Sequence, residues 1–150
     1  MTTIAYDGRY IAIDSRITCG NWISSDDFDK TTETDDWVLF WSGSLHAKEE
    51  FELAFFNHGK VNEPSESSLY AFNKKTGKLF DVGSTECVIF KTPITYKDAK
   101  GSGACHAITA MDFGKSAVDA VRAAIQRNNS TGGAIRCYDT KTKKFIKVKQ

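Results

Sequence analysis

An α+β domain is what this sequence predicts, and three observations lead there. Short β-type runs occur near both ends and in the middle of the chain, bounded by Asp-Gly, Asn and Gly turn signals. Between them lie stretches whose apolar residues recur at spacings of three and four, the mark of an amphipathic helix. Nothing in the middle resembles a linker and no internal repeat is present, so the 150 residues read as one domain, 1–150.

The elements follow in order. Thr3 to Ile13 reads as two strands around Asp7-Gly8, a hairpin signal because both central positions of a type I′ turn need positive φ. Trp37 to Trp41 is continuously apolar and bounded by Ser42-Gly43-Ser44, which suits a strand buried on both faces. Ser44 then caps a helix running to about His58. Ala47, Phe51, Ala54 and Phe55 share one of its faces, and Gly59 ends it. The stretch 61–68, with Pro64 and its serines, is a loop. Leu69 to Phe90 reads as a meander broken at Asn73–Gly77 and again at Val82-Gly83.

Lys97 to Gly103 is polar and turn-rich. Ala104, Ala107, Ile108 and Met111 make a short helix that ends near Gly114. A further helix spans Ser116 to Gln126, with Ala117, Val118, Val121, Ala124 and Ile125 as its stripe and Ser116 with Asp119 as a capping box. Asn128 to Gly133 stops it. Ala134–Tyr138 and Lys144–Val148 form a closing hairpin.

Composition narrows function by exclusion. Lys and Arg number 20 against 19 Asp and Glu, and this balance argues against a nucleic-acid or acidic-lipid binder. No apolar run approaches the ~18 residues a membrane span needs, and Met1-Thr2-Thr3 opens no signal peptide. Cys19, Cys87, Cys105 and Cys137 are scattered without a CxxC pair or a histidine at ligand spacing, which fits a reduced, cytoplasmic protein with no metal. Gly101-Ser102-Gly103 lacks both the third glycine of a dinucleotide loop and the Lys-Ser/Thr of a phosphate loop, so no cofactor is expected. His46, His58 and His106 stand alone, and isolated histidines are more often surface or core residues than catalytic ones.

The chain start is chemically distinctive. With Met1 removed, Thr2 offers a hydroxyl and a free α-amine on one residue. An α-amine titrates at about 7.7–8.0, so near neutral pH it can accept the hydroxyl proton. The plain alternative is that Thr2-Thr3 starts a strand, which β-branched residues favour. Downstream stand Asp14-Ser15-Arg16, Thr18, Gly20, then Lys30 sixteen residues after Asp14, Ser42-Gly43-Ser44, Gly101-Ser102-Gly103 and Thr131-Gly132-Gly133. In order and spacing this set resembles the β-subunits of the proteasome and their bacterial relative HslV, N-terminal nucleophile (Ntn) hydrolases with a threonine nucleophile. The likeness covers most of the chain and is weakest over about 60–100.

The resemblance implies a four-layer αββα sandwich, two antiparallel sheets flanked by helices. It implies a threonine-type endopeptidase acting on peptides or unfolded proteins, assembled as a homo-oligomeric ring and served by an ATP-dependent unfoldase. By the same likeness Thr2 is the nucleophile, Lys30 the ammonium beside it, and Asp14 the carboxylate holding Lys30. Gly43 supplies an oxyanion-hole N–H, and Ser102 helps to relay the proton. Thr18 binds substrate main chain, while Ile17, Trp41 and Leu45 surround the residue before the scissile bond. Plainer readings stand beside these: a surface ion pair for Asp14 and Lys30, a turn for Gly43, and core packing for Ile17, Trp41 and Leu45.

The chain also departs from the family. Asn128 stands where the family commonly has an aspartate, and Thr131 where it often has a serine. The first hairpin is about four residues shorter than usual, an even number that preserves strand facing. The first half has room for one good helix where the family packs two. Two other functions therefore stay open, a non-catalytic structural subunit and a small-molecule Ntn amidase.

Overall fold

A computed structural model describes residues 2–57, 59–61 and 67–150. In chain order its elements are β1 (Thr3–Tyr6), β2 (Tyr10–Ile13), β3 (Ile17–Cys19), β4 (Trp22–Ser25), β5 (Thr31–Glu33), β6 (Trp37–Ser42), α1 (Leu45–Asn57) and β7 (Ser68–Asn73). There follow β8 (Leu79–Thr85), β9 (Val88–Ile94), β10 (Asp98–Gly101), α2 (Ala104–Asp112), α3 (Ala117–Arg127), β11 (Arg136–Asp139) and β12 (Lys144–Ile146). They fall into two compact units, one built from the chain up to Lys30 together with Thr95–Gln150, the other from Thr31–Ile94.

The first unit is an antiparallel sheet in the order β10-β1-β2-β11-β12, with the separate two-stranded ribbon β3-β4. The opening hairpin forms as expected, pairing Ile4 with Ile13 and Ala5 with Ala12. Its turn differs from the expectation. Positive φ is confined to Gly8 at 107°, while Asp7 uses its carboxylate to accept the N–H groups of Arg9 and Tyr10. The other Asp7 oxygen accepts Ala117 N–H at 2.9 Å, placing a negative charge at the start of α3, where the helix dipole favours it. Ser116 caps α3 by accepting the Asp119 N–H. Small residues let the helices sit close: Ala107, Met111, Ala117, Ala120 and Val121 pack with Ala5, Ala12 and Ile135. Gly103, the N-cap of α2, has no room for a side chain, since a Cβ there would lie 2.8 Å from Ala124 Cβ.

At the far side of that sheet, Arg9 makes a two-pronged bond to Asp139, with Nε at 3.0 Å and a terminal nitrogen at 2.8 Å. The guanidinium holds the Asp139 carboxyl well below the usual carboxylate range. A depressed carboxyl stabilises the fold fully above its unfolded pKa of about 3.9 and loses that contribution as pH falls toward the folded value. Arg9→Gln should therefore flatten the fall in melting temperature as pH drops from about 4 to about 2. An unchanged acid slope would refute the linkage.

The described residues of the second unit form an antiparallel sheet in the order β5-β6-β7-β8-β9 together with α1. As expected, β6 is buried along nearly its whole length and β7–β9 form a meander. Phe51, Ala54 and Phe55 of α1 pack with Leu39, Trp41, Leu69, Ala71 and Val82. The expected break at Val82-Gly83 is absent. Both residues lie inside β8, and Gly83 lacks a side chain because Phe90 occupies the space, with its Cζ 2.9 Å from where a Cβ would stand. The actual turn is Glu86-Cys87, both with positive φ (50° and 67°), the I′ pattern reached without Gly or Asn. The loop proposed over 61–68 lies mostly outside the described residues, as does His58.

The expected four-layer αββα sandwich is overturned. The described residues form twelve strands in three antiparallel sheets with three short helices, a β-rich fold. The stretches that carry the difference are polar ones. Lys97–Gly103 was expected to be turn, yet 98–101 pair with β1 as a full strand, and 17–33 add three short strands.

Candidate active site

Strand β1 begins at Thr3, so Thr2 sits immediately before it, and the two residues are held from opposite neighbours. The Thr2 carbonyl accepts Ser102 N–H at 2.8 Å, and the Thr3 carbonyl accepts Asp14 N–H at 3.3 Å. Thr2 is 2% exposed and Thr3 fully buried. Pairing with β10 and β2 thus carries the chain start into the interior of the first unit.

Asp14, just past the end of β2, organises the surroundings. Its Oδ1 accepts the Thr3 N–H at 3.0 Å and Lys30 Nζ at 2.9 Å. Its Oδ2 accepts Gly132 N–H at 2.9 Å and Arg16 N–H at 3.3 Å. Four donors around one carboxylate satisfy a charge that burial alone would make very costly. Lys30 is equally enclosed, its side chain 1% exposed. Burial lowers its pKa below the ordinary lysine value; the Asp14 carboxylate opposes that shift without cancelling it. The plain reading of these two residues as a surface pair does not describe them.

A second chain of contacts runs through hydroxyls. Thr3 Oγ1 and Thr131 Oγ1 are 2.7 Å apart, and Thr131 Oγ1 donates to Asn128 Oδ1 at 3.2 Å. With the Thr131 proton committed there, Thr3 is the donor in the first contact. Asn128 Oδ1 also accepts Ser102 Oγ–H at 3.2 Å and Ser130 N–H at 3.0 Å, while its Nδ2 donates to the Ser102 carbonyl at 3.0 Å. This last bond is one that an aspartate cannot make. Asn128→Asp should cost about 1–3 kcal/mol in urea unfolding at pH 7, because the Ser102 carbonyl loses its donor and faces a negative oxygen. The deficit should shrink in acid, where a protonated carboxyl can donate again; a deficit independent of pH would contradict this picture.

Sequence reasoning missed several members of the network. Ser15 Oγ lies 2.9 Å from the Asp26 carbonyl and 2.6 Å from the Ala134 carbonyl, and Ser15 N–H donates to Gly132. Arg16 forks onto the Asp26 carboxylate at 2.7 and 3.0 Å and reaches the Asn129 carbonyl at 3.1 Å. Gly132 has no side chain because the Arg16 guanidinium fills its place, and Gly133 (φ 73°) because the Asp26 carbonyl and Ser15 Oγ do. Ser15 and Arg16 directly follow Asp14, and that adjacency was the available signal.

Thr2, Asp14, Lys30, Ser102, Asn128 and Thr131 are therefore all in the first unit and joined by shared hydrogen-bond partners. Ile17 and Thr18, half-buried on β3, belong to it too. Trp41, Gly43 and Leu45 belong to the second unit. Trp41 is buried and meets Phe51 edge-on at 5.4 Å, and Leu45 packs against the same core. Gly43 has φ 133° at the turn from β6 into α1, where the Ser67 backbone leaves no space for a Cβ. Among the described residues no cluster of His, Cys, Asp and Glu is placed to hold a metal, and the four cysteines are free thiols. Among the described residues no helix is long and apolar enough to cross a membrane.

No protein-family model matches this chain, and no curated protein does. Solved structures match it. One, "Thiobacillus denitrificans BPH", is 20% identical with a TM-score of 0.68, over 91% of this chain and 95% of that one. At that identity the likeness is one of fold.

Proposed function

We propose that the chain is a threonine-type endopeptidase of the proteasome and HslV kind, with Thr2 as nucleophile once Met1 is removed. The observation that supports this most is the enclosed Asp14–Lys30 pair, whose carboxylate also binds the Thr3 N–H, so that a buried ammonium and the chain start share one anchor. Thr2 Oγ attacks the peptide carbonyl and its proton passes to the Thr2 amine. The peptide C–N bond breaks as the leaving amine takes that proton, which leaves an ester on Thr2. Water then hydrolyses the ester and frees the hydroxyl. Lys30 favours the neutral amine and the developing oxyanion by its charge. Asp14 and Asn128 act as positioning residues, through Lys30 and Ser102 respectively. Ile17 and Thr18, in the same unit as Thr2, take part in binding substrate. Active chains assemble as a homo-oligomeric ring in the cytoplasm, with an ATP-dependent unfoldase as partner.

The test compares chains that retain Met1 with chains that have lost it, sorted by intact-mass measurement, on an unstructured polypeptide. Hydrolysis should belong to the processed chains alone. Equal turnover by both would refute the mechanism. A second reading, a non-catalytic subunit, is favoured by the neutral Asn128. It predicts that processed chains assemble, by light scattering, yet leave the polypeptide intact.

A further inference from the structure

The second unit carries a cavity of about 260 Å³ between the C-terminal half of α1 and β9. Trp37, Phe55, Phe56, Ile89, Phe90 and Lys91 supply most of its wall. Phe55 meets Trp37 edge-on at 5.1 Å, yet Phe56 and Phe90 stay 38% and 47% exposed around the opening. Aromatic side chains left this open at a concave site are what a ligand with an apolar body would cover. The volume falls below the roughly 300–1,000 Å³ of pockets that take drug-sized molecules, so the fitting ligand is small.

One charge in the wall sets the ligand's polarity. Lys91 Nζ stands 4.8 Å from the Phe80 ring centroid and 5.9 Å from that of Trp37. Lys74 and Lys75 in the same unit are paired with Glu33 and Asp36. Lys91, among the described residues, meets rings in place of a carboxylate. Contact with two rings restrains its long side chain, so an arriving anion has less freedom to remove. Asp35 and Asp36 line a separate depression that shares Trp37 and Phe56, and the Asp36 charge is already matched by Lys75.

We propose that this cavity binds a small amphiphilic carboxylate, with its apolar body against Trp37, Phe55 and Phe56 and its carboxylate on the Lys91 ammonium. The test is calorimetric titration of the full chain with octanoate, octanamide and octylamine, which share a chain length and differ in head-group charge. Octanoate should bind saturably and most tightly. Lys91→Met keeps an unbranched stem and should weaken octanoate about fivefold while leaving octanamide unchanged. Lys91→Glu should turn the preference toward octylamine. Absent saturable binding of octanoate, equal affinity for octanoate and octanamide, or indifference to Lys91→Met would each overturn the proposal. Peptide hydrolysis is not the readout, so the result stands apart from the reading of Thr2.

Discussion

Asp14→Ala should destabilise the protein by about 3–5 kcal/mol in urea unfolding, among the larger effects a single substitution can have. The residue is the shared acceptor for Lys30 Nζ, Thr3 N–H and Gly132 N–H, all buried with it. Truncation leaves an ammonium without its counter-charge and backbone donors without an acceptor, and each such loss carries the full cost of desolvation. Removing both charges together is a different experiment. Asp14→Asn with Lys30→Met keeps an oxygen for the Thr3 N–H and an apolar stem in place of the ammonium, and should recover a large part of the loss. A cost for Asp14→Ala below about 1 kcal/mol would mean that water reaches the pair, as it does in exposed ion pairs.

The pH dependence of that deficit gives an independent check. In the folded protein the Lys30 pKa lies below the ordinary value of 10.5, because burial outweighs the attraction of Asp14. Without Asp14 the opposing attraction is gone and the folded value drops further. Between the folded pKa and 10.5 the unfolded chain holds a proton that the folded chain has released, so stability rises with pH across that window. The gap between Asp14→Ala and wild type should thus narrow as pH is raised. A gap that widens would assign the cost to something other than the stranded ammonium.

Sequence patterning was sufficient where a segment's own residues decide its structure. The β1–β2 pair, the apolar β6, α1 with its Phe51/Ala54/Phe55 face and α3 with its Ser116 cap all carry a period or a cap visible in one dimension. It failed where a partner decides. Asp98-Ala99-Lys100-Gly101 has no strand pattern, yet β1 has an edge to be paired and this segment supplies the pairing. Glu86-Cys87 has no turn chemistry, yet a two-residue connection between Thr85 and Val88 forces positive φ on both. The implied layer count failed for a related reason, since it came from likeness over regions that excluded much of 60–100, where the meander lies. At the site, Asp14 and Lys30 were legible from their spacing in the motif. Ser15, Arg16 and Asp26 were not, because they bond one another across about ten residues without a motif to mark it, and reach backbone groups of a loop more than a hundred residues away.

Loss of the Thr2 hydroxyl is the second large effect expected. On the proposed mechanism, Thr2→Ala should lower peptide hydrolysis by a factor on the order of 10³ or more, since removal of a nucleophile leaves only what binding and oxyanion stabilisation provide. The fold should survive, because the contacts that hold this residue run through its carbonyl, which Ser102 engages at 2.8 Å, and those survive the change. Thr2→Ser keeps a hydroxyl but frees its χ1, and so should retain part of the rate. Thr3→Val serves as the steric control. It breaks the 2.7 Å contact with Thr131 while sparing the neighbouring Thr2 hydroxyl, and should shift stability more than it shifts turnover. If hydrolysis instead follows Thr3 and ignores Thr2, the buried hydroxyl chain through Thr131 and Asn128 carries the chemistry, and Thr2 is no more than the residue that leads into a well-anchored strand.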